Sequence, residues 1–275
     1  MSSTNPVLKN LPGAEVQNSR GGQPYQPGYE YGYDQYGAPM GQPVSRPMTI
    51  DDVTAKTGIT LAVIIAAAVV SFGLWGAGVQ PLAAVLTFGG AIAAFITVLV
   101  HSFGKKFGSP TITLLYAVFE GLFLGGFSFA VSGAFSVGGA DAGMMIGQAI
   151  LGTIGVFIGM LVVYRTGAIR VTPRFNRILT GVIFGAFIMA LGNFLLYLFT
   201  GLSPLRGGGT MSILFGVFCV VLAALAFLQD FDLADKLVRT NAPQEAAWGV
   251  ALGLAVTLVW LYTEILRLLS LLSDR

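Results

Sequence analysis

The chain has 275 residues, of which 55% are hydrophobic and only 10% are charged, whereas an ordinary soluble domain is about 25% charged. Its formal net charge is +2, and it has no tract of basic residues, so we do not expect a nucleic-acid partner. One histidine and one cysteine rule out an internal disulfide and disfavour zinc, haem and iron–sulfur sites. The composition is typical of a helical protein that crosses a lipid bilayer several times.

The first 48 residues differ in composition from the rest of the chain. The segment GGQPYQPGYEYGYDQYGAPMGQP is rich in Pro, Gly, Gln and Tyr and has no Leu, Ile or Val. Such a segment buries too little apolar surface to offset the entropy lost on ordering. We therefore expect residues 1–48 to be a disordered cytoplasmic tail, and residues 50–275 to form the membrane domain.

Seven apolar segments follow, each close to the length of about 20 residues that a helix needs to cross a bilayer. Short stretches that carry Pro, Gly or charge separate them. The sequence therefore predicts an all-α bundle of seven transmembrane helices. In a six-span alternative, the last segment is re-entrant or lies in the membrane interface. The predicted spans are 59–78, 82–103, 111–134, 143–164, 178–200, 210–229 and 247–272.

Glycines recur four residues apart within several of these spans. In lipid, such pairs let two helix backbones approach closely, because van der Waals contact rather than the hydrophobic effect drives helix association. The pattern favours a tight bundle over a wide pore. The pairs are Gly121/Gly125, Gly155/Gly159, Gly181/Gly185 and Gly249/Gly253.

The distribution of Lys and Arg predicts the orientation, because these residues are enriched in cytoplasmic loops. With the tail in the cytoplasm, ten basic residues lie on the cytoplasmic side and two, Arg206 and Arg275, lie outside. We therefore expect a multi-pass protein of the plasma membrane, with its N-terminus in the cytoplasm and its C-terminus outside. The ten are Arg46, Lys56, Lys105, Lys106, Arg165, Arg170, Arg174, Arg177, Lys236 and Arg239.

Two glutamates lie within predicted spans, where an ionisable group costs roughly 2.5–3.5 kcal/mol on insertion scales. Glu120 lies well inside the third span and has no basic neighbour in its own segment. We expect it to face the bundle interior, either protonated or paired. Glu264 lies in the seventh span with Arg267 one turn later, so an ion pair within the helix explains it as well as a functional role does.

The sixth span ends in FLQDFDLADKL, which places Asp230, Asp232 and Asp235 within six residues. At about 100° per residue, Asp230 and Asp232 point to nearly opposite sides of a helix. One of them should therefore face the bundle and the other the headgroups or cytosol. Asp235, with Lys236 and Arg239 after it, is typical of a solvated helix end. Because acids at a helix C-terminus lie against the negative end of its dipole, the arrangement favours a proton- or cation-binding site over a simple marker of the span end.

Three stretches resemble the Bax inhibitor-1 family of membrane proteins, and in particular its actinobacterial branch: FEGLFLGG, FLQDFDLADKL and LYTEILRLL. The resemblance covers residues 50–275 and implies a seven-helix protein with a central last helix. It implies a pH-sensitive calcium leak channel in which acids of helices six and seven share protons and gate the path. On this basis Asp230 and Glu264 are the pH-sensing pair and weak calcium ligands, and Asp232 and Glu120 are further candidates along the ion path.

Two features depart from the family pattern. The residue in helix seven is Glu264 where the family usually has Asp, which lengthens the side chain by one methylene. In a simple hairpin of helices six and seven, Asp230 would also lie level with about residue 251 and not with Glu264. The pair therefore requires part of KLVRTNAPQEAAW to form an interfacial segment.

Two other classes of function compete with transport. The resemblance to bacterial relatives also implies a protein that regulates a membrane-bound ATP-dependent protease or a membrane stress response without transporting anything, with the Tyr-rich tail as its docking element. A membrane hydrolase would need a nucleophile–base pair or a metal set such as HExxH within the spans. With a single histidine, we expect neither an enzyme nor a bound cofactor, and we expect lipid, calcium ions or protons as partners.

Overall fold

The structure is a computed structural model that describes residues 46–104, 107–133, 139–207 and 209–273. The described residues form seven α-helices, each long and apolar enough to cross a membrane, so the predicted all-α fold with seven spans is confirmed. The expected disordered tail lies almost entirely outside the described residues. The helices are α1 (Ile50–Gly76), α2 (Gln80–Phe103), α3 (Pro110–Gly133), α4 (Gly139–Thr166), α5 (Pro173–Thr200), α6 (Thr210–Arg239) and α7 (Ala246–Ser273).

Helix α7 is the centre of the bundle. It packs against α1, α3, α4 and α6, and it is the most buried of the seven helices. Helix α2 packs on the outside of α1 and α3, whereas the backbone of α5 comes close only to that of α6. We call the end of the bundle at which α1 begins the near end and the opposite end the far end.

The contact between α1 and α3 depends on glycine. A Cβ atom at Gly121 would overlap the backbone carbonyl oxygen of Ile64, and one at Gly125 would overlap that of Ala68. The close approach predicted from this pair is therefore present. The same is not true of every pair, because Cβ atoms at Gly155 and at its partner in α4, Gly159, would meet open space.

At the near end, the residues just before α1 pack onto the turn between α6 and α7. The backbone amide of Met48 donates to the carbonyl of Ala242 at 2.8 Å, and the amide of Gln244 donates to the carbonyl of Arg46 at 3.0 Å. The Met48 side chain is 2% exposed and belongs to the main hydrophobic core. Thr49 and Asp52 form a reciprocal cap, which starts α1 at Ile50 rather than at the predicted residue 59.

Helices α6 and α7 form a simple hairpin. Helix α6 continues to Arg239, beyond the predicted end at residue 229, and α7 begins at Ala246 after a short turn. No interfacial segment separates them, so the condition that an Asp230–Glu264 pair requires of KLVRTNAPQEAAW is not met. Asp230 also lies more than two turns before the end of α6. The helix-dipole argument, which placed it beside carbonyls without amide partners, therefore does not hold for this residue.

Candidate functional site

Asp230 faces α7. Its Oδ2 atom accepts a hydrogen bond of 2.7 Å from the hydroxyl of Thr257, and its Oδ1 atom lies 3.6 Å from the position of a Cβ at Gly253. Within the described residues, no Lys, Arg or His side chain forms an ion pair with Asp230. The structure thus holds a carboxylate inside the bundle with a hydroxyl group, rather than a cation, as its partner.

The other two acids of α6 are paired with basic residues of the same helix. Asp232 forms an ion pair with Lys236, and Asp235 forms one with Arg239 at 2.8 Å. These are i,i+4 pairs of the kind that stabilise a helix surface. Of the two alternatives, it is therefore Asp230 that faces the bundle, and the position of Asp232 does not support a role in the ion path.

Glu120 lies on the face of α3 that packs against α7. Its neighbours one turn away, Tyr116 and Leu124, belong to clusters that include α7 residues. In the part of the chain that the structure describes, no hydrogen bond or ion pair reaches the Glu120 carboxylate. It is a partly buried acid without a partner, in accord with the expectation that it faces the interior.

The register between α3 and α7 gives the height of Glu120 in the bundle. The Thr113 hydroxyl donates to the Trp248 carbonyl at 3.0 Å, a sequence separation of 135. The Ser128 hydroxyl lies 2.9 Å from the Tyr262 hydroxyl, a separation of 134. The two helices therefore run in parallel, and Glu120 lies beside about residue 255 of α7. Asp230, which contacts α7 at residues 253 and 257, is at the same height.

Glu264 belongs to a different cluster, nearer the far end. The Arg267 guanidinium donates to its Oε2 atom from Nε at 3.2 Å and from Nη2 at 2.5 Å. Arg206, in the connection between α5 and α6, donates to its Oε1 atom at 3.2 Å. The carboxylate is almost completely buried, with 4% of the side chain exposed. The ion pair with Arg267 that the sequence offered as an alternative is therefore formed, and Arg206 adds a second cation.

Asp230 and Glu264 do not form the carboxyl pair that the family resemblance implied. Asp230 contacts Thr257, and Glu264 lies two helical turns further along α7, which corresponds to about 10 Å of rise. The cause is the simple hairpin, which brings the middle of α7 beside Asp230, near the height that the hairpin geometry predicted. The structure therefore does not bring the Asp230 and Glu264 carboxylates to one site.

No cluster of three or more His, Cys, Asp or Glu side chains occurs among the described residues. Asp230 and Thr257 offer hard oxygen donors of the type that calcium prefers, but far fewer than the six to eight of a tight calcium site. The arrangement suits weak and reversible binding of a cation or a proton.

A cavity of about 330 Å³ lies between α3, α5, α6 and α7 on the far-end side of Asp230. Most of its wall is aromatic or aliphatic, and Glu264 and Arg206 supply the charged groups. The buried Cys219 also lines it. Its other lining residues include Phe123, Phe127, Ala186, Phe187, Phe215 and Trp260.

A family model described as Bax inhibitor 1 like matches residues 5–274. No curated protein and no solved structure matches the chain. The family membership predicted from FEGLFLGG, FLQDFDLADKL and LYTEILRLL is confirmed, while assignment to the actinobacterial branch stays a prediction. Since the match extends over almost the whole sequence, this seven-helix membrane protein belongs to the Bax inhibitor 1 like family.

Proposed function

We propose that this protein is a pH-sensitive calcium leak channel of the plasma membrane, with its near end in the cytoplasm. The observation that carries the proposal is the pair of carboxylates at one height on α7. Asp230 has only the hydroxyl of Thr257 as a partner among the described residues, and Glu120 has none. Because neither carboxylate is paired with a basic side chain among the described residues, each can bind a proton or, after losing it, a metal ion.

The proposed mechanism follows from the cost of charge inside a membrane. At low pH both carboxyls are protonated, so the path offers calcium no compensating charge and is closed. At higher pH the acids ionise, and each carboxylate, without a basic partner in a poorly solvated interior, favours a cation close to it. A divalent ion held by so few ligands binds weakly, which allows it to leave again. Flux should therefore increase with pH.

This mechanism assigns Glu120 the part that the sequence gave to Glu264. The Glu264 carboxylate has two guanidinium partners, so its charge is already balanced within the protein. Asp232 is paired with Lys236 on another side of α6 and has no role in the proposed path.

The test is calcium flux by purified protein in liposomes, measured between about pH 6 and about pH 8. Asp230→Asn and Glu120→Gln should each flatten the pH dependence, because each removes one titrating group without changing side-chain size. Asp232→Asn is the matched control and should keep the wild-type profile. An unaltered pH profile in Asp230→Asn would show that this carboxyl does not control passage.

The regulatory alternative makes a different prediction for the same protein. If no flux is seen at any pH, the protein is better explained as a regulator of a membrane-bound ATP-dependent protease or of a membrane stress response. Removing residues 1–45 should then abolish co-purification of the partner. In a channel, the same deletion should leave calcium flux intact.

A further inference from the structure

Arg206 lies between two cavities at the far end of the bundle. The cavity of about 330 Å³ that contains Glu264 lies on one side of it. A crevice of about 850 Å³ between the end of α5 and residues 201–207 lies on the other side. Among the described lining residues, only Ala190 and Arg206 belong to both. Of these two residues, Arg206 has the longer side chain and the only charge, so it is the residue that can obstruct movement from one cavity to the other.

A buried amide, that of Asn193, helps to hold the connection that carries Arg206 against the bundle, and the Ser212 hydroxyl of α6 also donates to the Pro204 carbonyl at 3.5 Å. The Asn193 side chain donates to the Ser203 hydroxyl at 3.0 Å, and its oxygen accepts from the backbone amide of Leu205 at 2.9 Å. Asn193 is 7% exposed. These two bonds fold the connection back over the end of α5, which brings the residue after Leu205 to Glu264.

Arg206 is held less firmly than the other guanidinium of the cluster. It makes one contact with Glu264, at 3.2 Å, and 41% of its side chain is exposed. Arg267 makes two contacts with the same carboxylate and is 10% exposed. If Arg206 turned outward, it would gain hydration, and Glu264 would keep a buried cation as its partner. The movement leaves no unpaired charge behind, so its cost is small.

The charges of the cluster also oppose the passage of cations. Two guanidiniums face one carboxylate, so the barrier carries an excess of one positive charge. A cation close to that charge is repelled, and the repulsion is stronger on the side of the buried Glu264–Arg267 pair than in bulk solvent. When Arg206 points away, the Glu264–Arg267 pair is neutral overall and the repulsion is removed.

We propose that Arg206 is the far-end gate of the ion path, closed when its guanidinium lies on Glu264 and open when it turns out to solvent. Asn193 is the positioning residue that sets the closed state. The inference rests on the proposed leak function for its biological meaning, while the barrier itself can be tested separately.

The native Cys219 allows that separate test, because it is the single cysteine of the chain and lines the cavity behind Arg206. In liposomes, a membrane-impermeant cationic methanethiosulfonate should label Cys219 slowly in the wild type. Arg206→Ala should increase the labelling rate by roughly tenfold or more, since the open state becomes dominant. Asn193→Ala should also increase it, while keeping every charge. Arg170→Ala, a basic residue at the near end, is the control and should match the wild type.

The outcomes separate the two proposals. Wild-type labelling rates in both Arg206→Ala and Asn193→Ala would overturn the gate, whatever the calcium flux. Faster labelling together with a higher calcium flux would support the gate as part of a channel. Faster labelling with no flux in any variant would support the barrier and overturn the leak function. If Arg206→Ala does not give folded protein, Arg206→Gln and Asn193→Ala provide the same comparison.

Discussion

At the residue scale, the structure separates the acids by their partners. Asp230 has a hydroxyl partner, Glu120 has none, and Glu264 has two guanidiniums. From the sequence alone, Glu120 and Glu264 are ionisable groups within apolar spans, and Asp230 follows the end of one. The partners distinguish two acids without a basic partner from one whose charge two guanidiniums balance. For this reason the proposed pH response rests on Asp230 and Glu120 and not on Glu264.

Thr257 provides a direct test of this assignment. Thr257→Val has nearly the same shape but removes the donor at 2.7 Å from Asp230, so the ionised carboxylate loses a stabilising bond. Calcium flux near pH 7 should fall several-fold, and folding stability should fall by about 1–3 kcal/mol as a buried acceptor loses its donor. The measurements are liposome flux and thermal unfolding in detergent. Thr257→Ser keeps the hydroxyl and should behave as the wild type, and equal flux in both variants would contradict the assignment.

The sequence located Asp230 but not its partners, for physical reasons. Threonine in a membrane helix commonly bonds to the carbonyl four residues earlier, as Thr60 and Thr87 do here, so a threonine at position 257 carries no signal of a cross-helix bond. Arg206 lies in the connection SPLRGGG, and its contact with Glu264 depends on the buried Asn193. Neither relationship is visible without the packing.

At the element scale, hydropathy predicted which segments are helical but not how far each helix extends. The sixth span was predicted to end at residue 229 because apolar residues give way to acids there. Helix α6 continues because no Gly or Pro occurs between residue 229 and Pro243 and because i,i+4 ion pairs, such as that between Asp235 and Arg239, stabilise its last turns. The spacing of glycines was a similarly partial guide, since backbone contact at Gly121 has no counterpart at Gly155.

A matched pair of substitutions tests that difference. Gly121→Ala would force a methyl group against the Ile64 carbonyl, and overpacking of this kind costs about 1–3 kcal/mol. Gly155→Ala meets open space and should raise stability by up to about 1 kcal/mol, because alanine is the better helix former. Thermal unfolding of the two variants in the same detergent is the measurement. Equal stability would mean that α1 and α3 are not in close backbone contact.

At the scale of the whole molecule, the central position of α7 links the two ends of the proposed path. At the near end, Met48 and Arg46 pack onto the turn after α6, and at the far end Arg206 contacts Glu264. In the proposed channel these two contacts are the closures. The acids Asp230 and Glu120 lie between these closures. A path with two closures and an acidic middle restricts leak even when one end opens.

The direction of that path depends on the orientation of the bundle, which can be measured at the two termini. Seven spans put the termini on opposite sides of the membrane, and the ten-to-two distribution of Lys and Arg favours the near end in the cytoplasm. A green fluorescent protein fused before residue 1 should therefore fluoresce in bacterial cells, and an alkaline phosphatase fused after residue 275 should be active. The exchanged fusions are the controls and should both be inactive.

If both termini report the same side, the last helix does not cross the membrane. If both fusions report the reverse orientation, Arg206 faces the cytoplasm, and the gate proposed here controls exit from the cell and not entrance to it.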